Sequence, residues 1–449
     1  MEKIQATLDH APTAPAYLVS PVAQQERIAT LDILRGWAIF GVLLMDIEAL
    51  YRPPATWSGS DQGVYSFLAI FGESKFWTLL SFLFGLGFSM QLVRAEERGR
   101  GFIAPYRRRL LALVLIGVAQ RLLLTWGGHF LIVYGAMGFL LFALRGLPSR
   151  TLLPAALAFM LIPLAYSDGL NLIRERRLAN SETRAEVLRS DAERSAAGVA
   201  LRAEQREAAN GGYPQRLAFR VKSVYRMYIA NAYESLAGRF INPPLTYVNW
   251  LGQLGLFLVG MYVGRRRILQ DIPGHLPLIR RVLIWGLALG LAAGAVRYSL
   301  TCATGDCWPD RSNQPYATHL LISMLRRFGD PALAFANGAA LVLLAQRQLW
   351  LKLFAPLAAA GRMALTNYLL MALLVGVLAP TFGLGVYRRI GPTLASALAV
   401  AIFATLMLLS TWWLKHFRFG PAEWLWRTLT YGKLQPMRLQ PSLAPAGVG

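Results

Sequence analysis

About ten stretches of this chain are apolar for long enough to cross a bilayer, and short arginine-bearing connections separate most of them. They fall at roughly 33–50, 65–93, 108–126, 129–145, 150–167, 247–264, 280–300, 327–346, 356–380 and 391–415. Inside hydrocarbon every backbone N–H and C=O must be satisfied within the protein, so helices of about 20 residues are the natural spanning element. The fold class expected is therefore all-α: a polytopic membrane protein of about ten transmembrane helices in one bundle, with one helical extramembrane insertion. A composition of 55% hydrophobic and only 16% charged residues over 449 positions argues against two or three soluble domains.

Charge orients the helices. Lys plus Arg number 46 against 24 Asp plus Glu, a formal net charge of +22. A balance this basic could mean nucleic acid, but the positive residues sit in short loops beside apolar segments, which is the positive-inside pattern. No nucleic-acid partner is expected. Arg94, Arg98, Arg100 and Arg107–Arg109 lie between the second and third stretches, Arg145 and Arg150 between the fourth and fifth, and Arg265–Arg267, Arg280 and Arg281 between the sixth and seventh. All fall on the N-terminal side of the membrane in a ten-span count, so both termini are predicted in the cytoplasm. The pair Arg388 and Arg389 is a mild exception.

The expected organisation follows. Residues 1–26 read as a disordered cytoplasmic tail without a cleavable signal, and 27–167 as an N-terminal five-helix membrane half. Residues 168–246 form a periplasmic or surface helical insertion, 247–415 the C-terminal five-helix half, and 416–449 a cytoplasmic interfacial end. Within the insertion, Asn171 to Asn210 is rich in Arg, Glu and Ala and reads as solvated helix; Tyr225, Tyr228 and Tyr233 mark an amphipathic second part. Cys302 and Cys307 fall in an outside loop, where a small disulfide is plausible, and no metal-ligand cluster is evident.

Residues 31–48 open the membrane part with charge at both ends: Asp32 and Arg35 enter, Asp46 and Glu48 close. Asp32 and Arg35 are three apart and can pair on one helical face. A carboxylate such as Asp46 near the far side of a membrane costs on the order of 2–3 kcal/mol unless it faces a polar cavity.

The motifs then resemble a known family. They include Arg27-x3-Leu31-Asp32-x-Leu34-Arg35-Gly36, Phe82-Leu83-Phe84-Gly85-x-Gly87, and Gly361-Arg362-Met363-Ala364-Leu365-Thr366-Asn367-Tyr368-Leu369. The longest is Phe417-Arg418-Phe419-Gly420-Pro421-x-Glu423-Trp424-Leu425-Trp426-Arg427-x-Leu429-Thr430-Tyr431-Gly432. This pattern resembles the YeiB-like membrane proteins, grouped as domain of unknown function 418. The opening Leu-Asp-x-Leu-Arg-Gly is more loosely similar to transmembrane acyltransferases, including relatives of heparan-alpha-glucosaminide N-acetyltransferase. That wider likeness implies movement of an acyl group from cytosolic acyl-CoA or acetyl-CoA to a glycan, lipid or small-molecule acceptor across a bacterial inner membrane. Transport without acyl chemistry, or an envelope role, is the alternative. Members often carry Asn where Asp46 stands, His where Gln120 stands, Asp where His129 stands and Gln where Met371 stands. Either the chemistry is altered here, or His129 supplies a relocated imidazole.

The residues name a candidate site. The outer ends of the first four spans are expected to gather Asp46, Glu48, Glu73, Lys75, Gln120, Arg121 and His129. His129 could take a proton with Asp46 orienting its ring, or merely start its helix. Glu73, Lys75, Gln120, Arg121 and mid-span Asn367 are candidates for acceptor binding; Asn367 could equally bridge two helices by hydrogen bonds. Arg35, Arg107, Arg108, Arg109 and Arg362 could hold CoA phosphates, since guanidinium forks suit that geometry, or serve as topology signal and contact anionic membrane lipids. Pro421 and Glu423 suit the first turn of a short surface helix. A homodimer stays open.

Overall fold

The computed structural model describes residues 29–51, 56–72, 74–97, 103–124, 129–226, 245–302, 316–378 and 389–439. Among these residues the chain is helical, with two isolated bridges, Tyr51 with Ile390 and Phe417 with Arg438, and no strand. The helices in order are α1 (Ala29–Asp46), α2 (Gly59–Phe71), α3 (Lys75–Glu97), α4 (Ile103–Leu123), α5 (His129–Ala143) and α6 (Ser149–Ala179). The insertion carries α7 (Ser181–Asn210) and α8 (Tyr213–Val224). Then come α9 (Leu245–Arg265), α10 (Ile272–Cys302), α11 (Tyr316–Leu344), α12 (Gln348–Leu353), α13 (Ala355–Arg362), α14 (Ala364–Leu378), α15 (Pro392–His416) and α16 (Pro421–Tyr431).

The apolar helices are those of a membrane-embedded protein. Four helical stretches are long and apolar enough to cross: 59–97, 149–179, 272–301 and 392–416, with 355–378 a fifth if its bent pair counts as one span. Their outward faces carry Ile284, Trp285 and Leu289 on α10 and Leu394, Val400 and Leu408 on α15, all exposed. Such apolar surface is stable against lipid and not against water.

Several expected boundaries move. The second stretch lies within one candidate span, 59–97, whose helix is interrupted between Phe71 and Lys75, where Ser74 takes a left-handed φ of 66°. The fifth does not stop at residue 167, because α6 runs on to Ala179 before Asn180 caps α7 through a bond from the Glu182 N–H. The ninth breaks at Met363, where α13 and α14 meet at 85°. Tyr228, Tyr233 and Cys307 lie outside the described residues, as does the side chain of Cys302.

Side-chain contacts define two ends of the bundle. At one, Arg265 donates to the carbonyls of Arg145 and Leu147, Arg267 pairs with Glu97, and Trp426 donates to the Arg109 carbonyl at 3.0 Å. This arginine-rich end gathers the C-terminal end of α3 and the connections after α5 and α9. At the other, the Thr393 N–H donates to Asp61 at 3.1 Å, Ser66 and Tyr298 share a hydrogen bond of 2.6 Å, and Arg220 of α8 donates to the Leu122 carbonyl at 3.0 Å.

Glycine decides how closely the central helices approach. A Cβ at Gly85 of α3 would run into the Phe257 carbonyl of α9, and one at Gly260 of α9 would run into the Phe82 carbonyl of α3. Small residues let helix backbones pack at short range, which matters most where lipid removes the hydrophobic drive. Around this crossing lie the buried residues Leu86, Leu254, Phe257 and Leu258. Gly85→Ala should therefore lower stability by about 2–3 kcal/mol. Gly63→Ala, on an exposed turn of α2 with open space around it, should leave it unchanged or slightly higher. Melting of the detergent-purified variants measures both.

Candidate functional site

One face of α3 lines a long cavity. Trp77, Leu80, Phe84, Gly87, Gln91 and Arg94 follow one another at steps of three and four, so they share a face. From Trp77 to Arg94 that face is about 25 Å long at 1.5 Å per residue, most of a bilayer core. The cavity has a volume of about 390 Å³, the size of a small-ligand pocket.

Its two ends differ in chemistry. At the arginine-rich end the walls include Arg35, Arg94, Arg109, Arg362, Arg418 and Arg427 against two carboxylates, Asp32 and Glu423. Both acids have duties of their own. Asp32 accepts from Arg35 at 2.9 Å, the pair expected from their spacing. Arg109 lies 4.3 Å from the Trp426 ring and Arg427 4.3 Å from the Phe419 ring, so indole and phenyl faces hold these guanidinium groups in place. Further in, the walls are Ile39, Val42, Leu80, Leu83, Phe84, Leu113, Leu131, Tyr134 and Tyr368. At the far end Trp77 and Phe130 stack with ring centroids 3.3 Å apart.

Glu423 explains how the mouth is built. It is buried, not on a surface turn, and it caps a different helix from its own. Its Oε1 accepts from the Leu365 N–H at 2.6 Å and the Thr366 N–H at 3.1 Å, and its Oε2 from the Thr366 hydroxyl at 2.5 Å. Those amides are the bare N-terminus of α14, exposed by the break at Met363, where a negative charge is favoured. Burial pushes the Glu423 carboxyl up, and the Thr366 and Leu365 donors pull it back. The Thr366 hydroxyl also accepts from the Ala422 N–H at 3.0 Å, tying α16 under α14.

The sequence-predicted residues divide. Arg35, Arg109 and Arg362 come together in the cavity wall; Arg107 and Arg108, one turn face away from Arg109, are exposed and outside it. Lys75 is 2% exposed and bound up elsewhere: it pairs with Asp330 of α11 at 2.8 Å, with Arg297 and Arg326 at 3.9 and 4.0 Å from the same carboxylate. Asn367 bridges helices, donating to the Ala360 carbonyl and to Ser410 Oγ at 3.0 Å each. Gln120 is buried with no partner for its amide among the described residues. Arg121 and Asp46 are half-buried. Glu73 and the side chain of His129 lie outside the described residues; the backbone of His129 opens α5, directly before the cavity residues Phe130 and Leu131. Sequence reasoning missed Arg94, Arg418 and Arg427, although the last two stand in the long C-terminal motif.

Residues 263–433, which include α13 to α16, match the family described as protein of unknown function DUF418. The uncharacterized protein YeiB of Escherichia coli is 30% identical over 420 residues, covering 90% of this chain and 96% of its own. The chain belongs to the YeiB-like DUF418 family. Another family member, the uncharacterized protein YxaH of Bacillus subtilis, is 29% identical over 447 residues, 93% of this chain and 98% of its own. No solved structure matches. Within the family-matching region, Glu423→Ala should cost about 2–4 kcal/mol, because it strands buried donors at the α14 terminus. Thermal unfolding in detergent reads this, and an unchanged midpoint would contradict the capping role.

Proposed function

We propose that this membrane protein is an acyl-CoA-dependent transmembrane acyltransferase. The observation that carries the reading is the cavity: a guanidinium-lined mouth leading into an apolar bore that runs most of the way to the opposite end. Such a shape suits a ligand with a polyanionic head and a slender, weakly polar tail. Arginine forks match phosphate oxygens in pairs, and in a site shielded from water each contact is stronger than at a surface. Acyl-CoA has this form, with its phosphates at the mouth and its pantetheine arm in the bore.

In this reading the arginine-rich end and both termini face the cytosol of a bacterial cell, and the membrane is the inner one. The acceptor, a hydroxyl or amine of an exported glycan, lipid or small molecule, meets the thioester at the far end. Its oxygen or nitrogen attacks the thioester carbonyl, His129 takes the proton, the C–S bond breaks and CoA leaves as thiolate, to be protonated from water. Asp46 orients the imidazole. Gln120 and Arg121, near the same end of α4, contact the acceptor. Glu73 joins them there.

A second reading, transport without acyl chemistry, draws on the 85° break between α13 and α14. Broken spans often present a half-helix N-terminus to a substrate anion. Here that terminus is already taken by Glu423, which favours acyl transfer.

Acyl-CoA binding to the purified full-length protein tests the proposal. Binding should be saturable, weakened about tenfold by Arg35→Ala or Arg109→Ala, and unchanged by Arg107→Ala. His129→Ala should abolish transfer while leaving binding intact. No saturable binding at millimolar acyl-CoA would overturn the proposal and turn attention to substrate flux.

A further inference from the structure

From the depth of the cavity we infer that the Trp77–Phe130 stack is an acyl-length stop that restricts the donor to short-chain acyl-CoA. The inference rests on the acyl-CoA reading above and adds which acyl group the site takes.

Two distances carry it. The first is the depth available beyond the innermost arginine on the α3 face. A Cβ at Gly87 would lie 3.9 Å from Arg35 Nη2, so the Arg35 guanidinium stands beside Gly87, well inside Arg94. From Gly87 to Trp77 is ten residues, about 15 Å of helix. The second is the reach of the donor. About thirteen bonds separate the pantetheine phosphorus from sulfur, and at roughly 3.5 Å per three bonds of extended chain that is about 15 Å. A phosphate on Arg35 therefore delivers the thioester to the level of Trp77.

Trp77 and Phe130 are the first residues of α3 and α5 in the cavity wall, so they mark its far end. Trp77 and Phe130 lie nearly parallel, 12° apart, at 3.3 Å between centroids. Phe130 meets Tyr134, itself a wall of the bore, edge to face at 6.5 Å, and the Tyr134 hydroxyl shares a hydrogen bond of 2.9 Å with Ser81. These contacts fix the Phe130 ring against its neighbours on the bore wall. An acetyl or propionyl group fits beside the stack. A longer chain would have to push the rings apart or draw the phosphates away from Arg35, and each costs affinity. The stop also stands directly beside the start of α5, so a short acyl group is left close to the backbone of His129.

The test is equilibrium binding of CoA, acetyl-CoA, butanoyl-CoA and octanoyl-CoA to the full-length protein in lipid nanodiscs, for wild type, Trp77→Ala and Phe130→Ala. CoA and acetyl-CoA should bind alike and octanoyl-CoA about tenfold more weakly. Either substitution should bring octanoyl-CoA to within about threefold of acetyl-CoA, each affinity taken relative to that variant's own affinity for CoA. Equal or tighter octanoyl-CoA binding by the wild type overturns the length stop and leaves the acyl-CoA reading standing. Failure of CoA itself to bind removes that reading and the stop together. The wild-type profile decides the matter even where a variant does not fold.

Discussion

The carboxylate of Glu423 on the N-terminus of α14 is the contact on which the arginine-rich end depends. A helix broken inside a membrane protein bares amides that lipid cannot satisfy. At Met363 the chain turns by 85°, and Glu423 reaches from another helix to accept from Leu365 and Thr366. The cap fixes α16 beneath α14. Because α16 is fixed, Trp426 meets Arg109, Phe419 meets Arg427, and the guanidinium groups stand around one opening. Asn367, one residue past Thr366, secures the same bend by bonding to Ala360 and Ser410.

The opposite end solves a similar problem with an ion cluster. The chain breaks between Phe71 and Lys75, and there the Ala69 carbonyl accepts from Lys75 at 3.3 Å and Arg297 at 2.6 Å. Asp330 sits among Lys75, Arg297 and Arg326 and joins α3, α10 and α11. Losing one partner of a buried pair costs far more than the pair itself gains, so such clusters hold an arrangement in place. Each end of the bundle thus has a broken helix and a buried carboxylate that ties it to its neighbours. Between them runs the cavity, with arginine at one end and stacked aromatic rings at the other.

Much of this was legible in the chain. Apolar runs gave helices, since hydropathy and length are local properties, and the alternation of arginine-rich loops agrees with the loops that meet at one end. The Asp32–Arg35 pair followed from a spacing of three. The breaks at 72–74 and 363 were not legible, because a helix interrupted in a membrane protein is stable only through partners distant in sequence. Glu423 looked like an ordinary first-turn acid of its own helix. Its real partner is 57 positions away. Arg107, Arg108 and Arg109 were equivalent as sequence, yet only Arg109 faces the cavity, since successive helical residues point about 100° apart.

The amino-acid sequence by itself determined that the chain is helical and carries several apolar segments of the kind found in membrane-embedded proteins, because those follow from the cost of exposing backbone and charge to lipid. Which arginines converge, where the bore ends and which acid closes the broken span were decided only by tertiary structure. Those outcomes depend on how helices far apart in sequence are rotated and brought close, as at Gly85 and Gly260, where the absence of a side chain lets two backbones meet.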